Sequence, residues 1–168
     1  MKKAFLLIVT ILSMGFAQAQ EYDSVPPYLK NKELPSFNLL QEDSSWFRPK
    51  DLPKNQPTVI IYFNPDCGHC QETAKKISEN MADFQNVTFL WVTYLSPLDE
   101  IATFQKDFKL DLPNVHFGKD PQYYIPSFFR VEQTPFVALY DANGKLAKAW
   151  PMYFRTEELK KVLEKGGK

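Results

Sequence analysis

Residues 59–76, VIIYFNPDCGHCQETAKK, constrain this chain more than any other stretch. Val59, Ile60, Ile61, Tyr62 and Phe63 form a β-branched and aromatic run, Asn64-Pro65-Asp66 carries turn chemistry, and the residues from Gln71 onward suit a helix. Cys67 and Cys70 sit where the turn meets the helix. If the helix begins at or beside Cys67, its unpaired backbone N–H groups and the positive end of its dipole favour a thiolate there. Thiolates attack disulfides, and thiols do not. Spacing of i, i+3 on a first helical turn brings the second sulfur within bonding reach, so one pair can alternate between dithiol and disulfide.

Export is the second constraint. Lys2 and Lys3 supply a charged start, Ala4 to Phe16 an apolar run, and Ala17-Gln18-Ala19 the small-x-small form that signal peptidase cuts. Residues 1–19 therefore read as a signal peptide and Gln20 as the first mature residue. An uncleaved anchor is the competing reading, but the apolar run falls short of the roughly 20 residues that span a bilayer. No cysteine follows the leader to take a lipid. The expected location is periplasmic or otherwise extracytoplasmic.

In that setting the cysteine count acquires force. A secreted domain held by disulfides carries several widely spaced pairs, whereas this chain of 168 residues has two cysteines, three positions apart. So short a loop yields little entropic stabilisation, which points to chemistry rather than architecture. Zinc is the bland alternative for CxxC, but it wants four ligands, and beyond the pair only His69 and His116 remain. Loss of Lys2 and Lys3 with the leader leaves 18 basic and 20 acidic residues. Without basic residues clustered among the aromatics, which make up 15% of the chain, nucleic acid is not an expected partner.

The chain length suits one domain with a real core. Residues 20–33 are polar and marked by Pro26-Pro27, an extended lead-in. Ser36 to Leu40 and Ser44 to Arg48 are expected to pair as a hairpin across Gln41-Glu42-Asp43, before the core strand at Thr58 to Asn64. Gln71 to Phe84 reads as a helix, Val87 to Leu95 as a strand buried on both faces, and Pro97 as the first turn of a helix reaching about Phe108. Asn114 to Phe117 is a short strand candidate and Asp120 to Arg130 a short helix broken near Pro126. Thr134 to Tyr140 and Lys145 to Trp150 form a hairpin across Asp141 to Gly144, and Thr156 N-caps a last helix through Lys165. Alternating strands and helices imply a parallel sheet covered by helices.

This order, with CxxC between a core strand and a helix and a later strand that opens on Thr134-Pro135, resembles the thioredoxin fold. More narrowly it resembles the exported TlpA and ResA branch of thiol-disulfide oxidoreductases, with an N-terminal β extension at Leu34 to Pro57 and extra βα material between Val87 and Gln133. The resemblance covers residues 34–166 and implies an α/β fold with a central mixed sheet flanked by helices. It implies that Cys67 is the exposed nucleophile, Cys70 the buried resolving thiol and Pro135 a cis-proline, with Thr134 offering its backbone to substrate. Its CGHC tetrapeptide is that of protein disulfide isomerases. A cationic or N–H-donating His69 beside Cys67 would stabilise the thiolate and make the protein more oxidising, nearer the roughly −180 mV of the isomerase than the roughly −270 mV of thioredoxin; a solvent-facing His69 with little influence is the alternative.

Relatives of this kind commonly bury an acid six residues before the first cysteine, where it helps move the proton of the resolving thiol. Here that residue is Ile61, which leaves Asp66, Glu72 or water. His116 reads as a loop residue. Tyr94, Phe136 and the aromatics of Tyr123 to Phe129 read as core, the latter also as candidates to border a client groove. The expected activity is exchange of disulfides with protein substrates, with no cofactor beyond the Cys67–Cys70 pair, no metal, a membrane or periplasmic redox partner, and a monomeric chain. Two other functions compete. A thiol peroxidase usually needs Thr or Ser three residues before its cysteine, where this chain has Asn64, and a copper-delivery module commonly uses CxxxC, one residue longer than the spacing here.

Overall fold

The computed structural model describes residues 24–152 and 154–166, so the leader lies outside the described residues. Seven strands form one mixed sheet in the order β2-β1-β5-β4-β3-β6-β7. Its spine is β3 (Thr58–Tyr62), between β4 (Thr88–Thr93) in parallel and β6 (Phe136–Tyr140) in antiparallel. All five residues of β3 are buried, as are the six of β4 and the five of β6. These near-continuous apolar runs suit strands covered on both faces.

Alternation along each strand separates two cores. Val59 and Ile61 of β3, Phe89 and Trp91 of β4 and Val137 and Leu139 of β6 face one side. There α2 (Gly68–Glu79), α3 (Leu98–Asp107) and α5 (Thr156–Gly166) cover them through Ala74, Ile77, Ile101, Phe104 and Leu159. Ile60, Leu90, Val92, Ala138 and Tyr140 face the other side, under α1 (Pro27–Lys30) and α4 (Tyr124–Phe129). Burying a side chain of this size contributes about 1.5–3 kcal/mol, so both layers matter to stability.

The expected additions to the core fold are present. β1 (Leu39–Leu40) and β2 (Trp46–Phe47) form the N-terminal hairpin, which joins the sheet through Leu40 opposite Lys119 of β5 (Val115–Lys119). Gly118 permits that junction, since a Cβ there would lie 2.7 Å from the Leu39 Cβ. The extra strand β5 and helix α4 occupy the interval before Thr134-Pro135, and β7 (Leu146–Trp150) closes the sheet beyond the Asp141–Gly144 turn.

Several elements differ from the sequence expectation. The lead-in is not simply extended: α1 buries Tyr28 against Phe129 and Phe136, with ring centroids 5.4 and 5.7 Å away. α2 starts at Gly68 and stops at Asn80, whose side chain donates to the Lys76 carbonyl; a separate 3₁₀ turn spans Met81–Phe84. α4 begins four residues after Asp120, because the buried Asp120 carboxylate accepts the Ile125 N–H at 2.7 Å and fixes the start of that helix. Pro97 is the N-cap of α3 rather than part of its first turn. Thr156 is the first helical residue of α5, and the Arg155 carbonyl accepts from Glu158 and Leu159. His116 is no loop residue: it lies on β5 and stacks on Phe47 at 4.4 Å, where burial lowers its pKa.

Candidate active site

Asn64 builds the turn that delivers the cysteines. Its Oδ1 accepts the Asp66 N–H at 2.9 Å and its backbone carbonyl accepts the Cys67 N–H at 3.0 Å. Gln71 ties the far side, its Nε2 donating to the Pro65 carbonyl at 2.9 Å. Cys67 is thereby held as the N-cap of α2 in extended conformation, and its carbonyl accepts from Cys70 and Gln71. A side chain at a helix N-cap looks onto the unpaired N–H groups of the first turn.

The two sulfurs occupy unlike surroundings. Cys67 is half-buried and Cys70 has no exposed surface, packed in the core that contains Ile61 and Phe63. Both are thiols. For Cys67, burial opposes ionisation, but hydrogen bonds from the Thr134 hydroxyl, the Cys70 backbone and thiol and the His69 backbone outweigh it and bring the pKa below the ordinary thiol value. The Cys67 thiol also donates to the Thr134 carbonyl at 3.4 Å, a contact that favours the protonated form and is given up on ionisation. Burial dominates at Cys70 and pushes it up to about 12, with the adjacent Cys67 sulfur adding to the effect.

Thr134 and Pro135 lie beside the cysteines, joined by a cis peptide bond as the motif order implied. Of the residues singled out in the sequence, Cys67, Cys70, Thr134 and Pro135 therefore converge. His69 is exposed; what reaches Cys67 is its backbone N–H, while its imidazole lines a cleft. Ile61 is fully buried, opposite Trp91 and Val137. Neither acid considered as its replacement faces Cys70: Asp66 is exposed, and Glu72 is exposed and paired to Lys76 at 2.8 Å. Among the described residues no His, Cys, Asp or Glu joins the two sulfurs in a group that could hold a metal ion.

The cleft holds about 340 Å³ and runs between α2 and the segment after β7, with Thr134 and Pro135 in its wall. Met152, Phe154 and Arg155 form its far side. These residues carry no periodic signal; they reach the site only because β7 pairs with the strand that follows Pro135. None of the aromatics of Tyr123 to Phe129 lines it. Phe128 and Phe129 are the core-facing residues of α4, although Phe129 also lines a neighbouring cleft with Tyr28.

A family model described as a thioredoxin-like domain matches residues 52–167. The chain belongs to the thioredoxin-like family. Solved structures of this fold resemble the thioredoxin-like chain along most of their length. A secreted disulfide oxidoreductase of Mycobacterium tuberculosis, homologous to Escherichia coli DsbE, superimposes with a TM-score of 0.65 at 19% identity, covering 77% of this chain and 95% of its own. A thiol:disulfide interchange protein of the thioredoxin family from Chlorobium tepidum gives 0.64 at 15% identity over 86% and 98%. A peroxiredoxin-like protein from Aquifex aeolicus gives 0.64 at 19% identity over 80% and 85%. No curated protein matches this thioredoxin-like chain.

Proposed function

We propose that this protein is an extracytoplasmic thiol-disulfide oxidoreductase that exchanges disulfides with protein substrates through Cys67 and Cys70, in the manner of the TlpA and ResA branch. The observation that carries this reading is the asymmetry of the pair: a half-buried sulfur with lowered pKa at a helix N-terminus, backed by a fully buried one. The Cys67 thiolate attacks a substrate disulfide, forming the Cys67–substrate bond as the substrate bond breaks, and the released sulfur takes up a proton. Cys70 then loses its proton and attacks the Cys67 sulfur, so the Cys67–Cys70 disulfide forms and the substrate leaves reduced by two electrons. In reverse the protein acts as oxidant. Thr134 presents backbone to an extended substrate segment beside Pro135, and His69 supports the thiolate through its main chain.

The two sulfurs suffice without a further cofactor, and a membrane or periplasmic redox partner recharges them. The charged, apolar and small-x-small segments of residues 1–19 support export, and the mature chain acts as a monomer in this reading. A peroxidase reading is disfavoured by Asn64, whose Oδ1 is engaged in the turn and which carries no hydroxyl. The test is insulin reduction: Cys67→Ala abolishes it, and Cys70→Ala accumulates mixed disulfides. Unchanged turnover in either variant refutes the reading.

A further inference from the structure

The cleft beside Cys67 has charged walls whose balance is uneven. Lys76 is neutralised by Glu72, with Nζ 2.8 Å from Oε1. Arg155, on the opposite wall, is exposed and forms no ion pair within 4.0 Å among the described residues. The acids in the first turn of the helix that follows it are otherwise placed: Glu158 is committed to Lys148 at 2.8 Å and to the Trp150 indole N–H at 2.9 Å, and Glu157 lies beside Thr156. The Arg155 charge is felt by Glu158, but among the described residues no carboxylate is in ion-pair contact with the guanidinium that overlooks the groove. Below it the floor is apolar, with Pro151, Phe154 and a Met152 side chain left 48% exposed. Arg155 follows Phe154, and its own backbone carbonyl starts α5, which fixes the stem of the side chain at the rim.

A guanidinium without a carboxylate partner is suited to bidentate recognition of a carboxylate arriving with the substrate. We propose that Arg155 sets substrate choice: the cleft accepts an extended protein segment that carries an acidic side chain within two residues of the cysteine attacked by Cys67, its apolar neighbours resting on Met152. This rests on the thiol-exchange reading above. Arg155 is a positioning residue that takes no part in the transfer of electrons. An exposed ion pair of this sort corresponds to a preference of about two- to fivefold, reduced by added salt.

The experiment uses symmetric disulfides of a short single-cysteine peptide in which Asp or Asn is placed in turn at each of the two positions on either side of the cysteine. The reduced full-length mature protein is mixed with each peptide, and every rate is normalised to that of 2-mercaptoethanol to remove intrinsic reactivity. At one or more positions the Asp peptide reacts about two- to fivefold faster than its Asn counterpart at low ionic strength. The ratio falls to about one in Arg155→Ala and is partly restored in Arg155→Lys. It rises in Glu72→Gln, which frees Lys76. These opposite shifts of the ratio separate charge recognition from a structural effect of the loop. Equal rates for Asp and Asn peptides in the wild type, or a preference that survives Arg155→Ala, overturn the inference while leaving the exchange reaction intact. Failure of every peptide to react, with Cys67→Ala no different from wild type, refutes the exchange reading itself and the inference with it.

Discussion

The buried position of Cys70 makes the second half of the exchange reaction steeply dependent on pH. Burial pushes this thiol up to about 12, so at pH 7 only about one molecule in 10⁵ carries its thiolate, and at pH 9 about one in 10³. Once Cys67 is bonded to substrate, the influence of its neighbouring sulfur on Cys70 diminishes, but burial, the larger cause, remains. Since Ile61 stands where an acid would relay the proton, and Asp66 and Glu72 face solvent, hydroxide and water do the work. The release of a Cys67-linked adduct is then expected to accelerate about tenfold per pH unit, about a thousandfold from pH 6 to pH 9, as long as the pH lies below the Cys70 value. Rapid mixing of reduced protein with excess peptide disulfide, acid quenching and mass spectrometry of the adduct would follow this directly. A rate that levels off near pH 6 or 7 would reveal a carboxylate or imidazole base and refute the reasoning.

Two further outcomes test the fold around the site. Tyr28→Ala removes a ring packed between Phe129 and Phe136 and is expected to cost about 3–5 kcal/mol in urea unfolding; a change under about 0.5 kcal/mol would show that the lead-in is not part of the core. Burial raises the folded pKa of Asp120 above its ordinary value, so its favourable contribution is complete below the unfolded value and is lost as pH rises through the folded one. Wild type should therefore lose stability relative to Asp120→Asn as pH rises from the ordinary carboxylate value through the raised one. Urea midpoints that keep a constant difference across that range would contradict this.

Much of the site was legible because its chemistry lies in contiguous residues. The run Val59 to Phe63 has no polar interruption, the Asn64-Pro65-Asp66 turn announces itself, and CxxC at the junction leaves few alternatives. Pro135 could be placed beside Cys67 only through resemblance to a family, since nothing local links positions 67 and 134. The remainder depended on distant partners. Tyr28 is a polar-tipped aromatic in a proline-marked segment, and its burial requires Phe129 and Phe136, about a hundred residues away. His116 looked like a loop residue because its partner Phe47 belongs to a hairpin of two-residue strands, too short for alternation to show. Asp120 hid the start of α4 in the same way, by capping through its side chain rather than by periodicity. Arg155 and Met152 carry no pattern at all, and they enter the cleft through the pairing of β7 with β6.

The division of labour between the two sulfurs has a consequence for how such a protein is tuned. In the proposed exchange, what is captured depends on the side open to solvent, where Cys67, Thr134 and Arg155 would meet a client. How long it is retained depends on Cys70, whose surroundings are Ile61, Phe63 and the apolar layer under α2. Residence time on the enzyme is thus written into hydrophobic packing that no client touches, and substitutions there can reset the clock of the reaction while leaving its choice of partner alone.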